Sequence, residues 1–440
     1  MDMFAYSRRL QTTRDETREE LKLALDSTSG DALSPESLEP FIVETVRRLA
    51  PVFSLMTVIV ADSKTHEFNK RTALPSATFE GENATTVASN STYERISEPL
   101  KIFRGKGGVT GFQQAASKKF VNSFAKELEG QAKSMAWAIE FGLLWGNKTS
   151  DPYQFDGFDT KITTNRLDKN AVITLRHLDD LIDKIQEAGI LDHRTLAFVA
   201  SPTMISKIST LQSEARKAVV NVEFPGGLVM TTYREIPLIR SSFVRPTSTF
   251  GVLTTASSAT AGALTPGATY TYRIAAVTTR GEQWASTSTA QLLAGGQSSA
   301  DLTWVAVADA QLYKVYRTAA NGAAGTELLR ATIAAKTYDG NGTITAAVTA
   351  YNDGVVALGT DYPLDATNVD EIIFLLNFDQ SEGAEIASLI NDFGEEIQNM
   401  IQYLPLGISS DKTEFLLISY MAMLYKDDQV HGMLRRVRTL

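Results

Sequence analysis

Apolar side chains recur at steps of three, four and one through residues 117–145: Phe120, Val121, Phe124, Ala125, Leu128, Ala132, Met135, Ala136, Ile139 and Leu143. That spacing lines one face of a long helix. Trp145-Gly146-Asn147 ends it, because glycine commonly follows the last helical turn. Upstream the pattern is different. Residues 63–95 (SKTHEFNKRTALPSATFEGENATTVASNSTYER) are polar and strand-prone, with too few apolar positions to bury a core. A loop of that length inside a compact domain points to function. Residues 96–112 (ISEPLKIFRGKGGVTGF) return as a strand ending in glycines, and Pro40 to Asp62 mixes apolar clusters with few polar breaks. Residues 1–35 read as an arm. A helix-prone stretch at 13–26 has a narrow apolar stripe that fades after Leu25, and the polar linker TSGDALSPES follows. Such a segment is frayed or laid on a neighbour.

Downstream, Thr174 is placed to cap a helix running to Ala188, with Gly189 just past its end and Leu175, Leu178, Leu181, Ile182 and Ile185 as its buried stripe. LAFVAS (196–201) reads as a buried strand. Ser201-Pro202 then opens a second helix, serine as cap and proline in the first turn. Residues 228–245 read as strand, turn, strand. EIIFLLNF (371–378) is a buried strand. Ile386, Leu389, Ile390, Phe393, Ile397 and Ile401 then predict a helix, EFLLISYMAMLY (414–425) a long apolar strand, and LRRVRTL a basic end.

Between Gly251 and Tyr362 the texture changes. These residues include 25 Ala and 19 Thr but only 13 charged side chains. No helical period survives. Short alternating strands take over at 269–277, 300–307, 312–318 and 327–333, separated by turns such as Asn321-Gly322 and Asp339-Gly340-Asn341-Gly342. This predicts an all-β sandwich inserted in a discontinuous domain. Closing a loop of that length costs about 4 kcal/mol as free coil, and less if the insert folds with adjacent termini.

Composition narrows the function. The chain has 440 residues, 43% of them apolar and 21% charged, so a sizeable globular core is available. A net charge of -9 argues against nucleic acid as a tightly gripped ligand. No apolar run follows Arg8-Arg9, so a secretory signal is not expected. The sequon-like tripeptides, such as Asn83-Ala84-Thr85, are then chance matches. No stretch approaches the roughly 20 apolar residues of a membrane helix. The absence of cysteine excludes disulfides, thiolate catalysis and thiolate metal sites.

The search for chemistry yields no catalytic, cofactor-binding or metal site, and a non-enzymatic role is expected. GKGGVTG (105–111) has a superficial likeness to a phosphate loop, but it lacks the spacing that cradles phosphates and reads better as a strand-ending turn. His66, His177, His193 and His431 are scattered. Asp179 and Asp180 read as a solvated helix face with Arg176 and Lys184 as partners. Glu395-Glu396 and Asp427-Asp428 read as surface pairs, and Trp284 and Trp304 as core aromatics of the insert. No GxSxG nucleophile elbow is present.

The order of parts (arm, polar β-excursion, glycine-ended strand, long amphipathic helix, small α/β region, long C-terminal strand) resembles the Hong Kong 97-like major capsid fold of tailed bacteriophages. The stretch LLWGNKTSDPYQFDGF (143–158) is similar to the family's spine-helix ending, and SPTMISKI (201–208) to its axial strand-to-helix turn. MAMLYKDDQVHGMLRRV (421–437) resembles its last peripheral strand and tail. TPGATYTYRIAAVTTRGEQWAS and VAVADAQLYKVYRT resemble immunoglobulin- or fibronectin-like strands in permuted order.

The resemblance implies an α+β fold with an N-terminal arm (1–35) and the start of a peripheral domain (36–62). An extended loop (63–112), a spine helix with peripheral domain (113–165) and an axial domain (166–250) follow. The insert is 251–362, the axial domain continues over 363–412, and a C-terminal peripheral strand fills 413–440. It implies hexamers and pentamers of this chain forming an icosahedral or prolate head around double-stranded DNA, which is contacted weakly. Assembly would occur in the host cytoplasm, with a separate scaffolding protein, a portal, cement or decoration proteins, no cofactor and no membrane. The insert is expected to project outward from the axial domain as decoration. Some members of that family crosslink subunits through Lys and Asn. Lys64 and Lys70 lie in the loop, but no partner asparagine or activating carboxylate is identifiable, so crosslinking is not expected. Two rival readings are an encapsulin-type compartment shell and a carbohydrate-binding adhesin or tail-associated protein.

Overall fold

The computed structural model describes residues 50–439 apart from Thr86 and residues 118–121, 188, 190–194, 216–220, 225–227, 390–394, 399–400 and 410. The arm, and with it the helix expected at 13–26, lies outside the described residues, as do Phe120, Val121, His193, Ile390 and Phe393.

One six-stranded sheet is organised by the 14-residue strand Lys412–Tyr425. Lys101–Thr110 pairs antiparallel with it along residues 412–421. On its opposite edge lie Ile401–Ser409 and then Ala384–Leu389, and Val58–Val60 runs parallel to the latter. Glu395–Gln398 completes the sheet. The helix expected across Ile386 to Ile401 is therefore corrected: this stretch contains the strands Ala384–Leu389 and Glu395–Gln398 and the start of Ile401–Ser409. The physical reason is burial on both faces. Ile386 joins the main core, whereas its neighbour Ala387 packs on the other face with Ala61 and Leu424. A strand covered on both sides loses its two-residue alternation, and its apolar spacing then imitates a helix.

The spine helix, Ser123–Trp145, packs across this sheet. Asn122 caps it by accepting from the Ala125 N–H at 3.2 Å. Met135, Ile139 and Leu143 share a core with Phe415, Leu417 and Met421. A separate short helix, Gly111–Ser117, precedes it. The return strand expected over 96–112 is two strands, Thr92–Pro99 and Lys101–Thr110. The first three glycines of GKGGVTG are not a terminal turn, because Gly105, Gly107 and Gly108 lie within the second strand, and Gly111 opens the short helix. At Gly107 a β-carbon would stand 2.4 Å from the Phe415 ring, so this glycine makes room for the ring. At the far end of the helix, the Gly157 N–H donates to the Gly146 carbonyl at 2.9 Å, folding the chain back onto the helix terminus. A β-carbon on Gly157 would meet the Gly142 carbonyl at 2.6 Å. This close approach is the physical content of the LLWGN…FDGF pattern.

A seven-stranded sheet forms the second layer, in the order Arg166–Val172, Gly432–Arg438, Glu371–Asn377, Leu196–Ala200, Ile236–Arg240, Leu228–Tyr233, Asn221–Phe224. Helices Leu175–Glu187 and Pro202–Glu214 pack on it through Leu178, Leu181, Ile182, Met204, Ile205 and Ile208. Ser201 caps the second helix as expected, accepting from the Met204 N–H at 3.1 Å. Residues 413–440 do not form one peripheral strand. Lys412–Tyr425 belongs to the six-stranded sheet and Gly432–Arg438 to the seven-stranded one. Likewise 363–412 divides, with Glu371–Asn377 in the second sheet and Ala384–Ser409 in the first.

Residues 251–362 fold as two main antiparallel sheets and a small hairpin, Lys336–Tyr338 against Ile344–Ala347. Leu253–Ser258, Ser299–Trp304 and Ala350–Asp353 form one. Thr269–Thr278, Gly281–Glu282, Thr289–Leu292, Ala310–Arg317 and Leu328–Ala334 form the other. Leu253, Leu302 and Trp304 of the first share a core with Tyr272, Ile274, Tyr313 and Val315 of the second.

Candidate functional site

The expected extended loop is a two-stranded hairpin, Thr65–Ala73 against Thr92–Pro99, in register from Thr65 opposite Pro99. Nearly all of its side chains are exposed or half-buried, and around its tip Leu74, Phe79, Val87 and Tyr93 are exposed apolar residues. Only its root is held. Phe68 and Leu100 pack on the small cluster of Ala61, Ala387 and Leu424. Lys70 Nζ lies 2.9 Å from Asp427, and the buried carboxylate of Glu98 accepts from Lys161 at 2.7 Å. A two-stranded hairpin without a covered face is marginal in water. Lys64 and Lys70 are brought to the root, and Lys70 is engaged by Asp427.

A second feature was not legible in the sequence. Where the insert meets the end of the spine, three carboxylates face three cations. Lys314 of the insert lies 2.6 Å from Asp159 and 2.8 Å from Glu282. Arg435 approaches the same two carboxylates at 3.2 and 3.5 Å. Arg166 bridges Asp159, at 3.0 Å, and Asp361, and the Tyr316 hydroxyl donates to Glu282 at 2.8 Å. Burial opposes the charge on Asp159, but Lys314, Arg166 and Arg435 outweigh it and hold its carboxyl below the ordinary range. The cluster is charge-balanced and offers no net attraction to an ionic ligand. Its chemistry is that of a fastener.

Apolar and aromatic contacts extend this junction. Val277 and Leu312 of the insert enter the main core, the Trp145 indole N–H donates to the Phe243 carbonyl at 3.0 Å, and Tyr338 packs at a tilt against Tyr153 with ring centres 4.7 Å apart. The insert is thus seated on the end of the spine as well as on the axial layer. Trp304 is a core aromatic of the insert, as expected. Trp284 instead packs on the main core and donates to the Asp370 carbonyl at 3.1 Å.

A third feature lies where the chain enters the described body. Glu140, fully buried in the spine helix, accepts from the Val52 and Phe53 N–H groups at 3.3 and 2.8 Å, at the start of the short helix Pro51–Leu55. Among the described residues no cation pairs with it. Burial pushes its carboxyl up to about 8 against the pull of the two N–H groups.

The remaining charged positions are structural. Asp428 accepts from the Thr163 and Thr164 N–H groups and from the Tyr425 hydroxyl. Asp179 is not merely solvated, since it accepts from the Tyr233 hydroxyl and pairs with Arg234 at 3.0 Å. Asp180 pairs with Lys169 at 2.8 Å. Among the described residues no group of His, Asp or Glu is arranged to hold a metal ion, and no helix is long and apolar enough to cross a membrane.

The family model of the SU10 major capsid protein matches residues 14–252, more than half of the chain. The chain belongs to the SU10 major capsid protein family. It is a major capsid protein, a subunit of a tailed-phage shell that associates with copies of itself. The fold of this capsid protein is similar to that of an encapsulin from Synechococcus elongatus PCC 7942, with a TM-score of 0.51 and 12% identity over 94% of this chain and 96% of that one. The capsid of cyanophage A-1(L) aligns at 11% identity over 94% and 99% of the two chains with a TM-score of 0.49. The capsid of a native GTA particle aligns at 11% identity over 94% and 98% with a TM-score of 0.48. Searched against curated proteins, the sequence finds no match.

Proposed function

We propose that this capsid protein closes into hexamers and pentamers of an icosahedral or prolate head holding double-stranded DNA, without catalysing a reaction. The observation that carries the proposal is the hairpin at 65–99, clamped at its root and apolar at its tip. Laid on a neighbouring subunit, it buries Leu74, Phe79 and Tyr93 and acquires the covered face it lacks. Obligate contacts of this type bury on the order of 2,000–5,000 Å² in total. The chain's acidic balance suits a wall that contains DNA without gripping it. Virion assembly would take place in the host cytoplasm, with a scaffolding protein, portal and cement proteins as separate chains. The insert is proposed to be an immunoglobulin- or fibronectin-like sandwich, a reading supported by its two facing sheets and common core.

The test is assembly of Phe79→Asp beside the wild type, followed by electron microscopy and sedimentation. Loss of closed shells with unchanged subunit melting supports the hairpin contact, and normal shells overturn it. The encapsulin likeness favours a second reading, a cellular compartment shell. It predicts small uniform cages that enclose a protein cargo in place of DNA.

A further inference from the structure

The insert has few charges, and most of them are buried or half-buried in pairs such as Arg317 with Asp353 at 2.7 Å and Lys314 with Glu282 at 2.8 Å. Arg280, Asp301, Asp309 and Asp339 are the exposed ones. Two of these are engaged within the insert. Asp301 accepts from the Asn352 amide at 2.6 Å, and Asp339 accepts from the Asn341 and Thr343 N–H groups at 2.9 and 2.7 Å. The guanidinium of Arg280 and the carboxylate of Asp309 have no partner among the described residues, and they do not pair with each other. Yet both line one cleft of about 430 Å³, together with the hydroxyls of Thr247 and Ser248, the amide of Gln283 and the apolar Val307. The fold fixes the walls of this cleft. Thr278 stands opposite Ala310 where Thr269–Thr278 pairs with Ala310–Arg317, so the turn after one strand and the turn before the other meet at one end of the sheet. The Arg280 N–H donates to the Thr278 hydroxyl at 3.1 Å, and the Val307 N–H donates to the Tyr313 hydroxyl at 3.1 Å. Gln283 Nε2 donates to the Ser248 hydroxyl at 2.8 Å and ties in the third wall, while its buried Oε1 has no partner among the described residues. Walls held in this way are preorganised for a ligand.

We propose that this cleft binds a neutral saccharide. Its volume falls within the roughly 300–1,000 Å³ of small-molecule sites. One positive and one negative side chain line it, so neither a lone anion nor a lone cation is attracted on balance. What the two charges offer is complementary hydrogen bonding. A guanidinium only donates and a carboxylate only accepts. Neighbouring hydroxyls of a sugar ring do both, so one hydroxyl pair satisfies Arg280 and Asp309 together. The Ser and Thr hydroxyls and the Gln283 amide match further ring hydroxyls, and Val307 and Ala308 meet the C–H edge of the ring. No aromatic ring lines the cleft, so a single sugar is held weakly, with an affinity on the order of millimolar. A shell carries one such cleft per subunit, and that repetition turns weak single contacts into firm attachment to a polysaccharide. The attachment rests on the shell reading above, whereas the cleft does not.

The test uses the unassembled full chain. Methyl glucoside, methyl galactoside and N-acetylglucosamine are the probes, and the zwitterion glutamyl-lysine is the counter-probe, all read by ligand-observed saturation-transfer NMR. At least one sugar is expected to bind, and Arg280→Ala and Asp309→Ala are each expected to weaken it about tenfold. Both side chains are exposed and unpartnered among the described residues, so the variants should melt with the wild type. Asp309→Asn keeps an acceptor oxygen and should weaken binding less than Asp309→Ala. Raising NaCl from about 0.05 to 0.5 M should leave sugar binding unchanged, because a neutral ligand is not screened. Failure of all three sugars to bind, or binding that both alanine variants leave intact, overturns the proposal. Salt-sensitive binding of glutamyl-lysine in place of the sugars overturns it as well. Closed shells passed over a resin bearing the bound sugar should be retained at least tenfold longer than free subunits, and equal retention overturns the attachment. A chain that binds sugar but never closes overturns the shell reading and leaves the cleft standing.

Discussion

Glu140→Gln isolates the buried carboxyl beneath the helix at residues 51–55. In the unfolded chain this group titrates near 4.5, and in the fold it is pushed up to about 8. Between these values the native state holds a proton that the unfolded state releases. Stability is therefore fully present below 4.5 and is lost as pH rises through 8. At 1.36 kcal/mol per pH unit, the wild type loses about 5 kcal/mol across that window from this group alone. Glutamine is neutral at every pH and keeps one oxygen to accept from the Phe53 N–H. It gives up the longer bond to the Val52 N–H, a cost of about 1–2 kcal/mol. The variant is expected to be slightly less stable than the wild type at pH 5 and about 3 kcal/mol more stable at pH 9. Urea unfolding of unassembled subunits, followed by tryptophan fluorescence at pH 5, 7 and 9, measures both chains. The difference between them is the quantity of interest, because other groups titrate identically in the two. Parallel pH profiles for wild type and variant would refute the reasoning.

Lys314→Met leaves Asp159 and Glu282 with one cation fewer in a buried site, and a loss of about 3–5 kcal/mol is expected. A double-mutant cycle with Asp159→Asn should show strong coupling by denaturant unfolding. Gly107→Ala drives a methyl group into the Phe415 ring and should cost about 1–3 kcal/mol. Phe415→Leu in the same chain should recover part of that loss in thermal melting. His431 is buried, accepts from the Asn377 N–H at 3.1 Å through Nδ1, and is held down to about 3 by burial. It is neutral in the fold, so stability is lost as pH falls from 6.5 towards 3. His431→Asn keeps an acceptor that does not protonate there and should show a shallower acid limb in unfolding scans.

What the sequence made legible followed period and punctuation. The spine helix, the Ser201-Pro202 cap and the main insert strands were visible because one face is wet or a turn residue marks the boundary. The stretch from Ile386 was misread because its first strand, Ala384–Leu389, packs on both faces and carries no alternation. The strand Gly432–Arg438 was assigned to the wrong layer because pairing partners such as Arg166–Val172 are more than 250 residues away along the chain, and local pattern does not encode them. The hairpin's lack of a core was evident from composition. The junction cluster was not, because Asp159, Glu282, Lys314 and Arg435 are isolated charges that the fold alone assembles. Depletion of charge in the insert was visible, but its significance depended on learning which few charges remain outside.

The strand Lys412–Tyr425 has a mechanical consequence. At about 3.4 Å per residue its 14 residues reach about 47 Å. Along one edge it carries the strand continuous with the hairpin, and along the other it carries the segment that binds Val58–Val60. Both attachments lie at the Met421–Met423 end of the strand, through Lys101 and through Val58, so a pull on the hairpin and a pull on Val58 draw on the same end of one beam. Its ladders are strained in shear, many hydrogen bonds at once, and do not unzip one by one. A wall built of such subunits can transmit tension from neighbour to neighbour through one continuous backbone.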